Sequence, residues 1–265
     1  MIIYTKGFEE GYNEIIALYG NGKEMMMDVG VAKLAKGSTF SLLEEEKEAA
    51  LLLLAGEAEF QWNGQKKGAV RRSLHDEMPA CLHVPKGVAV QVSAQAETEI
   101  YVQKTLNPNA FKPVFYTPAD IQCTAAGTGD ALQGTMRRNI RTVFDYGNAP
   151  YSNMVLGEVV NFPGKWSSYP PHYHPQPEVY FYKFDHPQGF GASFIGPDAF
   201  TIRHNSLSLI RGNVCHPQAA APGYAMFYIW GIRHLAGDPW IKTRIDAREH
   251  EWLLAADAAV WDEQR

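Results

Sequence analysis

The chain has 265 residues, of which 46% are hydrophobic and 20% charged, enough apolar material for one large core or two smaller ones and no signature of disorder. A net charge of −5 and a pI near 6.0 give no basic footprint, which argues against nucleic acid and against anionic lipid as partners. The start, Met1-Ile-Ile-Tyr-Thr-Lys6, lacks the basic, apolar and small-residue regions of a signal peptide, and no apolar run approaches twenty residues, so a cytoplasmic protein is expected. Three scattered cysteines, Cys81, Cys123 and Cys215, cannot complete a disulfide framework and show no metal spacing; Cys215 is expected to be a core thiol.

The first half reads as short strands divided by turns. The acidic run Glu44 to Lys47 is expected to be a solvated loop. Gly56, Ala58, Phe60 and Trp62 alternate with Glu57, Glu59 and Gln61, and Asn63-Gly64 supplies the residues that a tight hairpin needs. His83 to Gly87 forms a turn into Val88 to Val92, where valines occupy every second position, and Glu99 to Gln103 follows as another strand. Strands at this spacing indicate a β-sandwich or barrel. His75 and His83 have no second ligand at a helpful offset, so no metal is expected in this half.

From Asn107 to about Thr142 three prolines, a Gly/Ala-rich segment and three arginines replace the strand texture, which is read as a linker. The texture returns from Asn153 to Val160 and continues to Ala225 to Trp230. Within it lies the informative stretch, Trp166-Ser-Ser-Tyr-Pro-Pro-His172-Tyr-His174-Pro-Gln-Pro-Glu178, with His216 arriving later in a Gly212-Asn-Val-Cys-His turn. In extended backbone, side chains at every second position share a face. His172 and His174 therefore converge, and Glu178, Tyr180 and Tyr182 share one parity while Lys183 faces away. Imidazole and carboxylate are ligands for zinc, manganese or iron, and three of them with a distant histidine make an open metal site. A His-x-His pair in a proline-rich loop is by itself often only surface; the carboxylate opening a strand and the later histidine favour the metal reading.

His172-x-His174-x3-Glu178 followed by His216 resembles the two motifs of the cupin barrels. More narrowly, Trp166 to His174, Glu178 to Tyr182, Gln188-Gly-Phe190, His216 to Tyr224 and His250-Glu-Trp252 resemble the 5-deoxyglucuronate isomerases of myo-inositol catabolism. The resemblance is strongest from Val143 onward. Between His174 and Glu178 only Pro175-Gln-Pro177 stands where that family has a longer acidic insertion, and Tyr228-Ile-Trp-Gly231 is closer to the sister 5-keto-4-deoxyuronate isomerases.

The resemblance implies an all-β chain of two cupin (double-stranded β-helix, or jelly-roll) barrels: residues 1–106 without metal, a linker at 107–142, and residues 143–265 with one divalent ion, Zn or alternatively Mn or Fe, on His172, His174, Glu178 and His216. It implies an aldose-ketose isomerase that moves a proton from C2 to C1 of a small sugar acid and needs no organic cofactor. Tyr180 and Tyr182 are the candidate proton-handling residues, and Arg141, Arg203, Arg211 and Arg233 the candidate carboxylate binders. A homo-oligomer stays open. An iron-dependent oxygenase or a sugar-binding cupin without chemistry would carry the same ligands. His250-Glu-Trp-Leu-Leu254 lacks the second histidine of a metalloprotease helix, Gly20-Asn-Gly-Lys23 lacks the frame of a phosphate loop, and Ala247 to Trp261 is expected to be a short helix packed on the barrel, its tryptophans in a core or interface.

Overall fold

A computed structural model describes residues 1–129, 131–255 and 257–261. Its elements are almost all strands, with four short 3-10 segments, and the sheets curl into two barrels. The first is organised around Lys47–Trp62, a strand of 16 residues that serves two groups of neighbours. Its early part pairs with Cys81–Val84 and Thr98–Leu106, and its later part with Gln65–Arg71 and Val90–Ala94. The change of partner falls at a register shift between Leu53 and Ala55, followed by Gly56 at φ 99°. A Cβ at Gly56 would meet the Glu97 carbonyl oxygen at 2.2 Å, so the crossing strands can approach this closely only at glycine. Asn63 and Gly64 turn the hairpin with positive φ at both positions, as the sequence predicts.

The second barrel faces a seven-stranded sheet with a four-stranded one. In the seven-stranded sheet the order is Ile2–Tyr4, Ser206–Ile210, Glu178–Phe184, Met226–Arg233, Met154–Asn161, Arg138–Phe144 and Gln122–Ala126. Two stretches assigned by sequence to other units take part. Ile2–Tyr4, within the span read as the first barrel, pairs with Ser206–Ile210. The span 107–142, read as a linker, gives Val114–Tyr116 to the first barrel and Gln122–Ala126 with the start of Arg138–Phe144 to the second.

The strands Met154–Asn161 and Glu178–Phe184 are buried at every residue, because each has apolar matter on both faces. One face looks into the second barrel, where Tyr180, Tyr182, Tyr228 and Trp230 join Ile202 and Ile232. The other belongs to a core shared by both halves: Val179, Phe181, Phe227 and Ile229 pack with Leu52, Leu54, Val29 and Tyr101. Inside the first barrel Phe60, Trp62, Leu51, Leu53, Val90 and Val92 form a third, apolar core.

Buried charge crosses the shared core. Glu158, fully buried, accepts two hydrogen bonds from Arg71 (2.6 and 3.0 Å) and one from Arg141 (2.8 Å). Glu48, buried in the first half, contacts His83 Nε2 at 2.9 Å and accepts from the Asn153 amide at 2.6 Å and Ser152 Oγ at 3.0 Å. Lys183, expected to face away from the site, does so and pairs with Glu99 at 2.6 Å.

Three expectations are corrected. Glu44 and Lys47 do not form a merely solvated run, since Glu44 pairs with Lys104 and Lys47 with Asp28, both at 2.5 Å. Cys215 is half-buried beside a small surface cavity rather than in a core. The last segment, Arg248–Leu254, is a 3-10 turn with no buried residue, and Trp252 and Trp261 are exposed rather than in a core. Among the described residues no helix is long and apolar enough to cross a membrane.

Candidate metal centre and substrate cavity

Glu178 opens the third strand of the seven-stranded sheet, paired with Ile210 on one side and Ile232 on the other. His174 stands just before it, and His216 follows the loop that leaves Ser206–Ile210. What draws that loop against the His174 segment is Gly212, where a Cβ would meet the Pro175 carbonyl oxygen at 1.8 Å, together with the Asn213 amide donating to the His174 carbonyl at 2.7 Å. The consequence is a convergent group: His174 Nε2 lies 3.3 Å and His216 Nε2 3.2 Å from the same Glu178 oxygen, Oε2. Among the described residues this is the one group of three such side chains with ligand atoms within 4.8 Å of one another.

His172 is adjacent to this group rather than inside it. It sits on His172–Tyr173, paired with Ile245–Asp246, and its ring centroid is 5.2 Å from that of His216. Its Nδ1 donates to the Pro170 carbonyl at 3.0 Å, and the His216 Nδ1 likewise donates to the Val214 carbonyl at 2.8 Å. Each of these bonds places a proton on Nδ1 and leaves Nε2 as the nitrogen free to meet a metal. At His216 the Nε2 faces a carboxylate oxygen across 3.2 Å, a gap that a proton or a cation must bridge. The donor set therefore fits a divalent ion, with two or three imidazoles and a carboxylate.

Burial alone would raise the Glu178 pKa, but the bonds to His174 and His216 and their charge outweigh it and hold it down at about 2. Burial, then the nearness of His216, depresses His172 to about 3, keeping it neutral. Both residues are thus in the form a metal needs.

The group forms the floor of a cavity of about 340 Å³ whose walls include Tyr180, Tyr228, Trp230, Trp240, Ser168, Thr142, Arg138 and Arg244. Tyr180, one of the two tyrosines expected there, lines the cavity and contacts Ser168 Oγ at 2.9 Å. Tyr182 shares its parity but lies deeper in the barrel, where its hydroxyl is engaged by Gln218 (2.7 Å) and Ser208 (3.0 Å), away from the cavity wall. Its place is taken by Tyr228, across the sheet from Tyr182, with its hydroxyl 2.6 Å from Ser167 Oγ and its ring 4.8 Å from that of Tyr180. Burial raises both cavity tyrosines; Glu178 adds to the rise at Tyr180, and the Arg138 cation offsets part of it at Tyr228.

None of the four arginines proposed from sequence lines the cavity. Arg141 is spent on Glu158 and on backbone carbonyls, Arg203 and Arg211 are exposed, and Arg233 bonds the carbonyls of Asn153 and His234. The lining arginines are Arg138 and Arg244. Tyr228 was legible in principle, since it shares one parity with Trp230; Arg138 shares one with Ile140 and Thr142 only once its strand is known.

The fold and this convergent group define a cupin with the side chains of a metal centre. A family model described as the KduI/IolB family matches residues 3–253, and the chain belongs to that family. Curated relatives are 5-deoxy-glucuronate isomerases. That of Geobacillus kaustophilus is 23% identical over 250 residues, covering 88% of this chain and 87% of the relative. That of Geobacillus thermodenitrificans is 25% identical over 250 residues, covering 87% of each. The enzyme class is isomerase. Among solved structures, an IolB-like protein from Salmonella typhimurium superposes with a TM-score of 0.85 at 18% identity, over 96% of this chain and 99% of that one. The oxalate decarboxylase of Lactobacillus farciminis, at TM-score 0.67 and 11% identity over 94% of this chain and 87% of its own, shares the fold.

Proposed function

We propose that the chain is a metal-dependent aldose-ketose isomerase converting 5-deoxy-D-glucuronate to 5-dehydro-2-deoxy-D-gluconate. The observation that carries the metal part is the pair of histidine Nε2 atoms aimed at one Glu178 oxygen, with the His216 proton held on the far nitrogen by a backbone carbonyl. The substrate part rests on the relatives' activity and on a cavity that combines polar and cationic groups with aromatic walls.

His174, Glu178 and His216 would hold the ion, with His172 on the adjoining strand available as a fourth ligand. A divalent ion bound there supplies a Lewis acid beside the carbonyl and neighbouring hydroxyl of the open-chain sugar. Tyr180 and Tyr228, neutral because burial raises them, present hydroxyl groups that hydrogen-bond the oxygens on C1 and C2 while the C2 proton passes to C1 and the hydroxyl proton on O2 passes to O1. Ser168 and Ser167 hold those hydroxyls in place. Trp230 and Trp240, 5.7 Å apart, provide apolar wall that limits water around the reacting carbons.

Stripping the metal should abolish conversion of 5-deoxyglucuronate, and Zn or Mn should restore it, with solvent deuterium entering the product at C1. Metal analysis of His174→Ala/His216→Ala should show an empty site. Undiminished metal in that variant refutes the ligand set. Turnover of 5-keto-4-deoxyuronate in place of 5-deoxyglucuronate would move the chain to the sister activity, and oxygen uptake by the iron-loaded protein without isomerisation would make it an oxygenase.

A further inference from the structure

Arg138 stands out among the buried arginines. Arg71 and Arg141 both meet Glu158, so their charge is neutralised inside the protein. Arg138 lines the cavity, half-buried, and its one hydrogen bond among the described residues goes from Nη1 to the Met136 carbonyl at 2.8 Å. No carboxylate among the described residues pairs with it. A partly desolvated guanidinium without a counterion is costly, and its planar fork suits a carboxylate bound at two points.

The strand explains why this arginine and not its neighbour faces the ligand. Arg141 is cross-strand partner to Glu158 and points with it into the shared core, whereas Arg138, three positions earlier, is on the opposite face with Ile140 and Thr142. Arg244 approaches the same cavity from the rim, but its Nε is already matched by Asp246 at 2.7 Å and its Nη2 by the Pro170 carbonyl at 2.9 Å. Lys242, also on the rim, is countered by Asp145 at 3.5 Å. Of the cations around the cavity, Arg138 is the one whose charge no described residue matches.

We propose that Arg138 is the specificity residue that anchors the far carboxylate of the sugar acid, placing C1 and C2 over the His174, Glu178 and His216 group. This rests on the isomerase reading for the identity of the ligand. Its consequence is discrimination: an aldose identical at C1 and C2 but ending in an alcohol would meet the same reacting groups and no anchor.

The test compares 5-deoxyglucuronate with 5-deoxyglucose, its C6 alcohol counterpart, using holoenzyme. Arg138→Gln should raise KM for the acid, lowering its kcat/KM by about 10- to 100-fold, the effect expected for a lost hydrogen bond to a charged group. The loss on the alcohol should be far smaller and metal content should be retained. Arg138→Lys should recover part of the preference for the acid. Equal losses on both sugars, or an undisturbed preference for the acid, would overturn the assignment.

A calorimetric titration with glutarate separates this failure from failure of the isomerase reading. If the wild type isomerises neither sugar yet binds glutarate, and Arg138→Gln does not, the anchor stands and the reaction falls. No glutarate binding to wild-type protein that turns over neither sugar overturns the anchor as well.

Discussion

Replacing Glu158 with alanine should be among the most damaging single changes away from the cavity. The carboxylate is fully buried and is the shared counterion of Arg71 and Arg141, which are 1% and 3% exposed and come from different halves of the chain. The alanine variant keeps both guanidinium groups bonded to carbonyls of Leu53, Leu74, His75 and Glu77 but leaves two buried positive charges with no negative one. Breaking a buried pair from one side costs about 3–5 kcal/mol, a large share of a total stability of about 5–15 kcal/mol. Equilibrium unfolding in urea, read by tryptophan fluorescence and circular dichroism together, should show the midpoint fall with an unchanged slope. Glu97→Gln, which removes the partner of Lys33 from a 3.9 Å surface contact, serves as the reference and should change stability by less than about 1 kcal/mol. Adding Arg71→Met to Glu158→Leu should be less destabilising than Glu158→Leu alone, because the change removes a stranded charge. A loss at Glu158→Ala no larger than that at Glu97→Gln, or a double variant worse than the single, would refute the desolvation argument.

Tyr228→Phe should lower kcat by about 100-fold or more with metal content retained. Tyr182→Phe, which loses only bonds to Ser208 and Gln218, should leave turnover within a few-fold and cost about 1–2 kcal/mol of stability; the reverse ranking would return the role to Tyr182. Gly231→Ala would place a Cβ 2.0 Å from Gln103 Oε1, a side chain that bonds the Val155 carbonyl and Tyr101, so a loss of about 1–3 kcal/mol is expected in a melting experiment. His234 is lowered to about 4 by burial and then by Arg233, and its Nδ1 accepts the Trp240 amide at 3.0 Å. Because the unfolded chain takes up this proton near pH 6.5 and the folded one near 4, the contribution is complete above pH 6.5, declines as pH falls through that window, and is of the order of 3 kcal/mol. His234→Asn should flatten the slope of stability against pH between 6.5 and 4; an unchanged slope would assign it to other groups.

The second barrel's strands and the shared face of Glu178 and Tyr180 were legible because period-two alternation acts over a few residues and survives without tertiary information, whereas His216, in a separate segment, was tied to them through the two-motif resemblance. Tyr182 shows where that rule stops. Parity places a side chain inside a barrel, but depth along the strand decides whether it meets the cavity or the packed interior, and Gln218, its partner at 2.7 Å, arrives from a strand 36 positions away. Arg138 was hidden for a different reason. Its strand begins in a segment whose prolines and glycines read as a linker, and with no strand assigned there was no parity to separate it from Arg141. The likeness of Tyr228-Ile-Trp-Gly231 to a sister family also acquires a physical reading, since Tyr228 and Trp230 line the cavity while Gly231 faces away and admits Gln103 from the first half.

The same alternation explains what the first barrel contributes to the cavity of the second. Along Glu178–Phe184 the even positions carry Glu178 and Tyr180 to the cavity, while Val179 and Phe181 enter the shared core and Lys183 reaches Glu99. The cavity strand is therefore gripped on its back face by residues of the first half, and its rotation about the strand axis is fixed by Phe181 against Tyr101 at 5.7 Å and by that ion pair. A site whose ligand oxygen must stay about 3 Å from two imidazoles needs such support, because a small tilt of one strand would separate the donors. Along Lys47–Trp62 the same alternation sends Leu52 and Leu54 into that shared core and Leu51 and Leu53 into the apolar interior of the first barrel beside Phe60, so the two cores share one strand.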